Sequence, residues 1–146
     1  MANDSVEGTE PRRLGKTGQC LCGNVSYDVD GPLRNILHCH CENCRRVSGN
    51  HVASSGAATE DLTVYGDEHL RWYDLGYARY GFCGTCGSSL FWVGAEHADR
   101  TSIQAGTLND ASGLTLDGVW FADEAQSHLT VDANVAHYQG NGGSTV

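Results

Sequence analysis

The sequence has little of what marks membrane or nucleic-acid proteins. Its 146 residues include two prolines, one methionine and nine basic side chains, only one of them a lysine, Lys16. No stretch of 18 apolar residues occurs, which excludes a membrane-spanning helix. The opening residues, Met1 to Pro11, are polar and acidic and carry no apolar signal core. Arg12-Arg13 is followed by Leu-Gly-Lys-Thr-Gly, which is not a twin-arginine export signal. A cytoplasmic location is therefore expected. Eighteen acidic residues give a net charge of −9, and such a surface repels phosphate backbones, which argues against general nucleic-acid binding. There is no P-loop, no Gly-x-Gly-x-x-Gly and no Gly-x-Ser-x-Gly. Nucleotide cofactors and serine-hydrolase chemistry lose support accordingly.

What is abundant is cysteine and glycine, seven and 19 residues. Seven is odd, so disulfides cannot use every cysteine, and a reducing cytoplasm keeps thiols free. They fall into three short groups: Cys20-x-Cys22, Cys39-x-Cys41-x-x-Cys44 and Cys83-x-x-Cys86. Metal binding explains such clustering.

The length suits one domain with a real core. Composition divides the chain into a flexible leader over 1–16, a single domain over 17–139 and a flexible tail over 140–146. Apolar alternation predicts a strand from Gln19 to Val29, with Leu21, Val25, Tyr27 and Val29 buried and Cys20 and Cys22 together on the other face. Further strands are predicted over Val52–Ala57, Leu70–Asp74, Tyr77–Phe82, Ser88–Val93, Thr101–Thr107 and Gly118–Ala122, and more weakly over Asn134–Gln139. One short helix is expected over Glu42–Ser48. The period of two elsewhere points to a mostly antiparallel β domain with metal-bound loops.

Cys83-Gly-Thr-Cys86-Gly reads as a knuckle in which Gly84 and Gly87 let two thiolates face one metal. Cys20 and Cys22 can complete four ligands and leave no open position, the pattern of a structural site. Cys39, Cys41 and Cys44 place three thiolates within six residues and leave a fourth position for water or substrate, the pattern of a catalytic zinc site. A histidine, His38 or His40, would close that site if it bound. The knuckles Cys41-x-x-Cys44 and Cys83-x-x-Cys86 can also share one zinc as in a zinc ribbon, and thiolates alone also suit an iron–sulfur cluster. Arg45 and Arg46 follow the third cysteine directly. Their guanidinium forks match a carboxylate, whereas the plainer alternative is an ion pair and a solvated side chain. The remaining histidines (His51, His69, His97, His128, His137) show no paired spacing. Trp72, Trp92, Trp120, Phe91 and Phe121 are expected in the core.

The ordered set of Gly18-Gln-Cys20-Leu-Cys22-Gly-Asn-Val-Ser-Tyr27, His38-Cys-His-Cys-Glu-Asn-Cys-Arg-Arg-Val-Ser-Gly49, Phe82-Cys-Gly-Thr-Cys-Gly-Ser-Ser-Leu90 and Gly106-Thr-Leu-Asn-Asp110 resembles the glutathione-dependent formaldehyde-activating (GFA) family, to which centromere protein V also belongs. The resemblance covers about residues 17–122. It implies several small coiled β-sheets and two zinc ions per chain, a structural one on Cys20, Cys22, Cys83 and Cys86 and a catalytic one on Cys39, Cys41 and Cys44. It tells against the shared-knuckle arrangement. The family usually carries a basic residue close before the Phe-Cys of the knuckle. Here Tyr80-Gly81 stand there, with Arg79 one step further off, and the chain beyond Asp110 matches only loosely.

The implied activity is that of a carbon–sulfur lyase condensing formaldehyde with glutathione, with a small thiol and a small aldehyde as partners. An open zinc position fits this, because a coordinated thiol is deprotonated near neutral pH and its thiolate can attack the aldehyde carbon. Arg46, Ser48 and His40 are the candidate substrate contacts. The alternatives are a zinc enzyme of the same fold with an unrelated substrate and zinc-bound water, or a non-catalytic zinc module.

Overall fold

The computed structural model describes residues 16–140, so all of the expected leader but Lys16 and all of the expected tail but Gly140 lie outside the described residues. The chain is mostly β and forms two sheets. In the smaller, β1 (Lys16–Gln19) pairs with β2 (Ser26–Val29), which pairs with β5 (Leu62–Tyr65), all antiparallel. The larger sheet is built from β3 (Ile36–Cys39), β4 (Val52–Ala58), β6 (Leu70–Asp74), β7 (Ala78–Cys83), β8 (Ser89–Gly94), β9 (Arg100–Gln104), β10 (Leu116–Trp120) and β11 (Ala136–His137). Its spatial order is β11-β10-β3-β4-β9-β8-β7-β6. Most neighbours are antiparallel, but β10 runs parallel to both β3 and β11.

The core lies between the sheets. Tyr27 and Val29 are buried in β2 while Asp28 between them is exposed, the alternation of a strand with one wet face. Tyr27 meets Phe91 of β8 edge to face at a centroid distance of 5.3 Å, and its hydroxyl bonds Thr107 Oγ1 at 2.8 Å. Leu90, Ile103, Ala57 and Leu108 complete the cluster, together with Cys20 and Cys83. The central strand β4 is made of small residues, Val-Ala-Ser-Ser-Gly-Ala-Ala, because elements cover both of its faces. At Gly56 a side chain would press on Arg34. The Arg34 guanidinium donates to the carbonyls of Ser54 and Ser55 at 3.3 and 3.0 Å and lies over the Trp120 ring.

The helix, α1 (Glu42–Ser48), occupies the residues expected of it, and β6 likewise. The long strand predicted over Gln19–Val29 is instead a hairpin. Gly23 adopts φ +82, its N–H reaches the Cys20 carbonyl at 3.2 Å, and Cys20 N–H reaches the Val25 carbonyl at 3.0 Å. Leu21, expected inside, is 85% exposed, and Cys20 is buried while Cys22 is exposed. An apolar alternation interrupted by one left-handed glycine reads as a strand in sequence, but the backbone must turn there. The segment Thr101–Thr107 is strand only to Gln104, followed by a 3₁₀ turn over Ala105–Thr107. Strands β3 and β5 were not anticipated, although Leu62-Thr-Val-Tyr65 carries a readable alternation.

Candidate metal centres

The first centre forms where the β1–β2 turn meets the β7–β8 turn. The sulfurs of Cys20, Cys22, Cys83 and Cys86 all lie within 4.8 Å of one another. Cys20 Sγ is 3.6 Å from Cys22 Sγ, which is 3.8 Å from Cys83 Sγ. Sulfurs bound at about 2.3 Å around a tetrahedral metal stand roughly 3.8 Å apart, so the cluster has the dimensions of a four-thiolate metal site. The two cysteines of the first pair converge because the backbone turns between them, and not because they share a strand face.

Backbone donors surround this cluster. Val25 N–H points at Cys20 Sγ at 3.3 Å, and the N–H groups of Thr85 and Cys86 point at Cys83 Sγ at 3.4 and 3.5 Å. The knuckle closes through Gly87 at φ +82, whose N–H bonds the Cys83 carbonyl at 2.8 Å. Ser88 joins the two turns. Its Oγ accepts the Leu21 N–H at 2.9 Å and lies 3.2 Å from Cys86 Sγ, leaving its own proton for the sulfur. The Ser88 hydroxyl, with the N–H groups of Ser88 and Cys22, holds the Cys86 thiol down at about 5. Ser88→Ala should therefore weaken metal retention about tenfold, the lower end of outer-shell losses, measured by competition with a chelator.

The second centre sits at the junction of β3 and α1. Cys39 ends β3, where it pairs with Val52 of β4 and Trp120 of β10. Cys41 is the N-cap of α1, and its sulfur accepts the Cys44 N–H at 3.4 Å. The three sulfurs lie within 4.8 Å of one another. Among the described residues no histidine, carboxylate or further cysteine joins them, whereas the first centre has four donors. Hydrogen bonds from Cys39 and Cys44 hold the Cys41 thiol far below its ordinary range, helped by the N–H groups of Cys44 and Asn43. The same contacts with Cys41 and Cys44, together with burial, drive Cys39 upward. Three thiols this close cannot all ionise without a cation between them, and a metal ion would replace the protons they share.

The side chains singled out from sequence divide around this centre. His40 is buried at 4% exposure, its ring stacked on His51 at 4.8 Å, while His38 meets His51 at 4.4 Å. Burial lowers all three imidazoles, and His51 lowers His38 and His40 further, so they are neutral at pH 7. Ser48 donates to the Cys44 carbonyl at 2.6 Å and accepts the Asn50 N–H at 3.1 Å, fixing the end of α1. Arg46 is exposed and paired with Glu42 at 2.9 Å, one turn back on the helix. Arg45 and Arg46, with Gly49, Asn50, Gln126 and His128, line an open cavity of about 370 Å³. Gln126 and His128 arrive there on the segment after Phe121, a non-glycine residue at φ +54 that turns the chain away from β10. No motif or paired spacing marks either residue in the sequence.

Tyr80 of β7 was also missed. It is 4% exposed and its hydroxyl lies 3.4 Å from Cys44 Sγ. Burial, and then the Cys44 sulfur, push this phenol well above its ordinary range, so it is protonated. Of the aromatic residues expected in the core, Phe91 and Trp120 are buried. Trp72 is half-buried beneath the Arg79 guanidinium, 4.1 Å from the ring centroid.

A family model described as glutathione-dependent formaldehyde-activating enzyme matches residues 15–124. A search of curated proteins finds no match. Among solved structures, the crystal structure of a Rhodobacter sphaeroides protein is similar, with 27% sequence identity and a TM-score of 0.57. The match covers 68% of this chain and 97% of that one. No helix among the described residues is long and apolar enough to cross a membrane.

Proposed function

The chain belongs to the glutathione-dependent formaldehyde-activating enzyme family, and from that premise we propose that it is a zinc-dependent carbon–sulfur lyase. Its reaction forms or cleaves the adduct of a small thiol such as glutathione with a small aldehyde such as formaldehyde. The observation that carries this reading is the contrast between the two cysteine clusters, four sulfurs in one and three in the other. Cys20, Cys22, Cys83 and Cys86 would hold a structural zinc with every position filled. Cys39, Cys41 and Cys44 would hold a second zinc with one position left for substrate. Soft thiolate donors at these separations suit zinc. When bound at the three-cysteine centre, zinc supplies the positive charge that keeps a substrate thiol ionised near neutral pH.

The chain's own groups orient the substrate. Arg45 and Arg46 line the cavity beside α1, and a thiol that carries carboxylates finds there the cations that are scarce elsewhere on this acidic chain. Of the substrate contacts expected from sequence, we assign this task to Arg46, for which a substrate carboxylate would compete with Glu42. Ser48 acts on the site through the Cys44 carbonyl, and His40, between Cys39 and Cys41, has its ring packed on His51. Arg46→Ala is expected to raise KM for the thiol about tenfold with kcat little changed, the pattern of lost substrate binding.

Exchange between glutathione and ¹³C-formaldehyde, followed by NMR, tests the assignment. Enzyme should accelerate exchange above the spontaneous rate measured alongside, and an unaltered rate would overturn the substrate assignment. Elemental analysis of protein purified without chelator should give two zinc ions per chain.

A further inference from the structure

We propose that Tyr80 is a positioning residue of the three-cysteine centre, its hydroxyl donating a hydrogen bond to Cys44 Sγ and so setting how much charge that sulfur gives to the metal. The proposal rests on the reading of Cys39, Cys41 and Cys44 as a metal centre. Its basis is geometric. The Tyr80 hydroxyl is 3.4 Å from Cys44 Sγ, both residues are buried, and that sulfur is the hydroxyl's one hydrogen-bond partner among the described residues. A sulfur that binds a metal has lost its proton, so the bond has one possible direction, from phenol to thiolate.

The three sulfurs differ in what supports them. Cys41 accepts a backbone N–H, from Cys44, which no side-chain substitution can remove. Cys44 accepts a side-chain hydroxyl delivered by β7, 36 residues further along the chain. A hydrogen bond to a thiolate stabilises its lone pairs and lowers the charge it donates. The other two sulfurs are left as the stronger donors, and the metal keeps more of its positive charge for the incoming thiol. Tyr80 thus couples the sheet strand that leads into the four-cysteine knuckle to the helix that carries the other centre.

Cobalt(II) substitution tests this without relying on turnover. In Tyr80→Phe the ring remains and only the hydroxyl is lost. The sulfur-to-cobalt charge-transfer band of the second metal equivalent should move to longer wavelength, because the lone pairs of Cys44 are no longer stabilised. Binding of an added small thiol to that cobalt should weaken about tenfold. A folded Tyr80→Phe protein that takes up two equivalents and gives the parent band position and thiol affinity overturns the role of Tyr80. A parent chain that binds a single equivalent overturns the metal reading, and the proposal with it. If Tyr80→Phe does not fold, the parent protein loaded with ¹¹³Cd decides. A hydroxyl proton scalar-coupled to the second cadmium supports the bond, and a spectrum in which only amide protons couple overturns it.

Discussion

Cys83→Ser is expected to leave a chain that does not fold. Cys83 is fully buried at the end of β7, where it belongs both to the hydrophobic core and to the four-sulfur cluster. Its sulfur collects the N–H groups of Thr85 and Cys86, and its partners Cys20 and Cys22 sit on the turn of the smaller sheet. The cluster is therefore a tie between the two sheets. A serine hydroxyl is a harder and shorter ligand that does not ionise at neutral pH, so buried Cys20, half-buried Cys86 and exposed Cys22 would be left crowded together without the cation that balances them. Structural zinc contributes an apparent ~10–16 kcal/mol in small zinc domains, which is comparable to the whole ~5–15 kcal/mol of net stability in an ordinary domain. The variant should show no cooperative thermal transition and little soluble yield. A Cys83→Ser protein that melts within a few degrees of the parent would show that the tie is dispensable.

Cys39→Ser should behave in the opposite way, folding but losing activity. Cys39 is half-buried at the end of β3, and the ladder that holds it there runs through backbone pairs with Val52 and Trp120 that a serine leaves in place. The side-chain change is small, and a loss of about 1 kcal/mol would lower Tm by roughly 2–4 °C in a chain of this size. The metal should drop from two ions per chain to one. Activity should fall by more than the ~100-fold that loss of an outer-shell partner causes, because a direct ligand is removed. Circular dichroism, elemental analysis and the exchange assay on the same preparation check the three outcomes together. If Cys39→Ser and Cys83→Ser unfolded alike, the division into catalytic and structural centres would be wrong.

The legible parts of this protein were those encoded over short stretches. Cys83-x-x-Cys86 and Cys39-x-Cys41-x-x-Cys44 place their sulfurs within one turn of chain, so spacing alone brings them together, and the structure has both groups converged. Helix α1 was readable because Cys41 stands at its N-cap and Gly49, at φ +81, closes it. Strand β6 announced itself by alternation between bracketing turns.

Other features were decided only in three dimensions. The turn after Cys20 hid inside an apolar alternation, since one glycine at positive φ reverses a chain without disturbing the pattern around it. The parallel pairing of β10 with β3, which sets Trp120 beside Cys39, joins residues about 80 positions apart, and local periodicity holds no record of such a partner. The Tyr80–Cys44 contact and the cavity between α1 and the segment beyond Phe121 have the same origin. By itself the sequence determined the chemistry: which residues are soft donors and how they group along the chain. The tertiary structure decided the surroundings, namely which hydroxyl reaches which sulfur, that Arg45 and Arg46 both line the cavity, that no described histidine joins the three-sulfur cluster, and that the two cysteine pairs of the first centre meet at all. Ligand spacing acts through a few covalent bonds, whereas those surroundings depend on how two sheets of distant strands pack against one another.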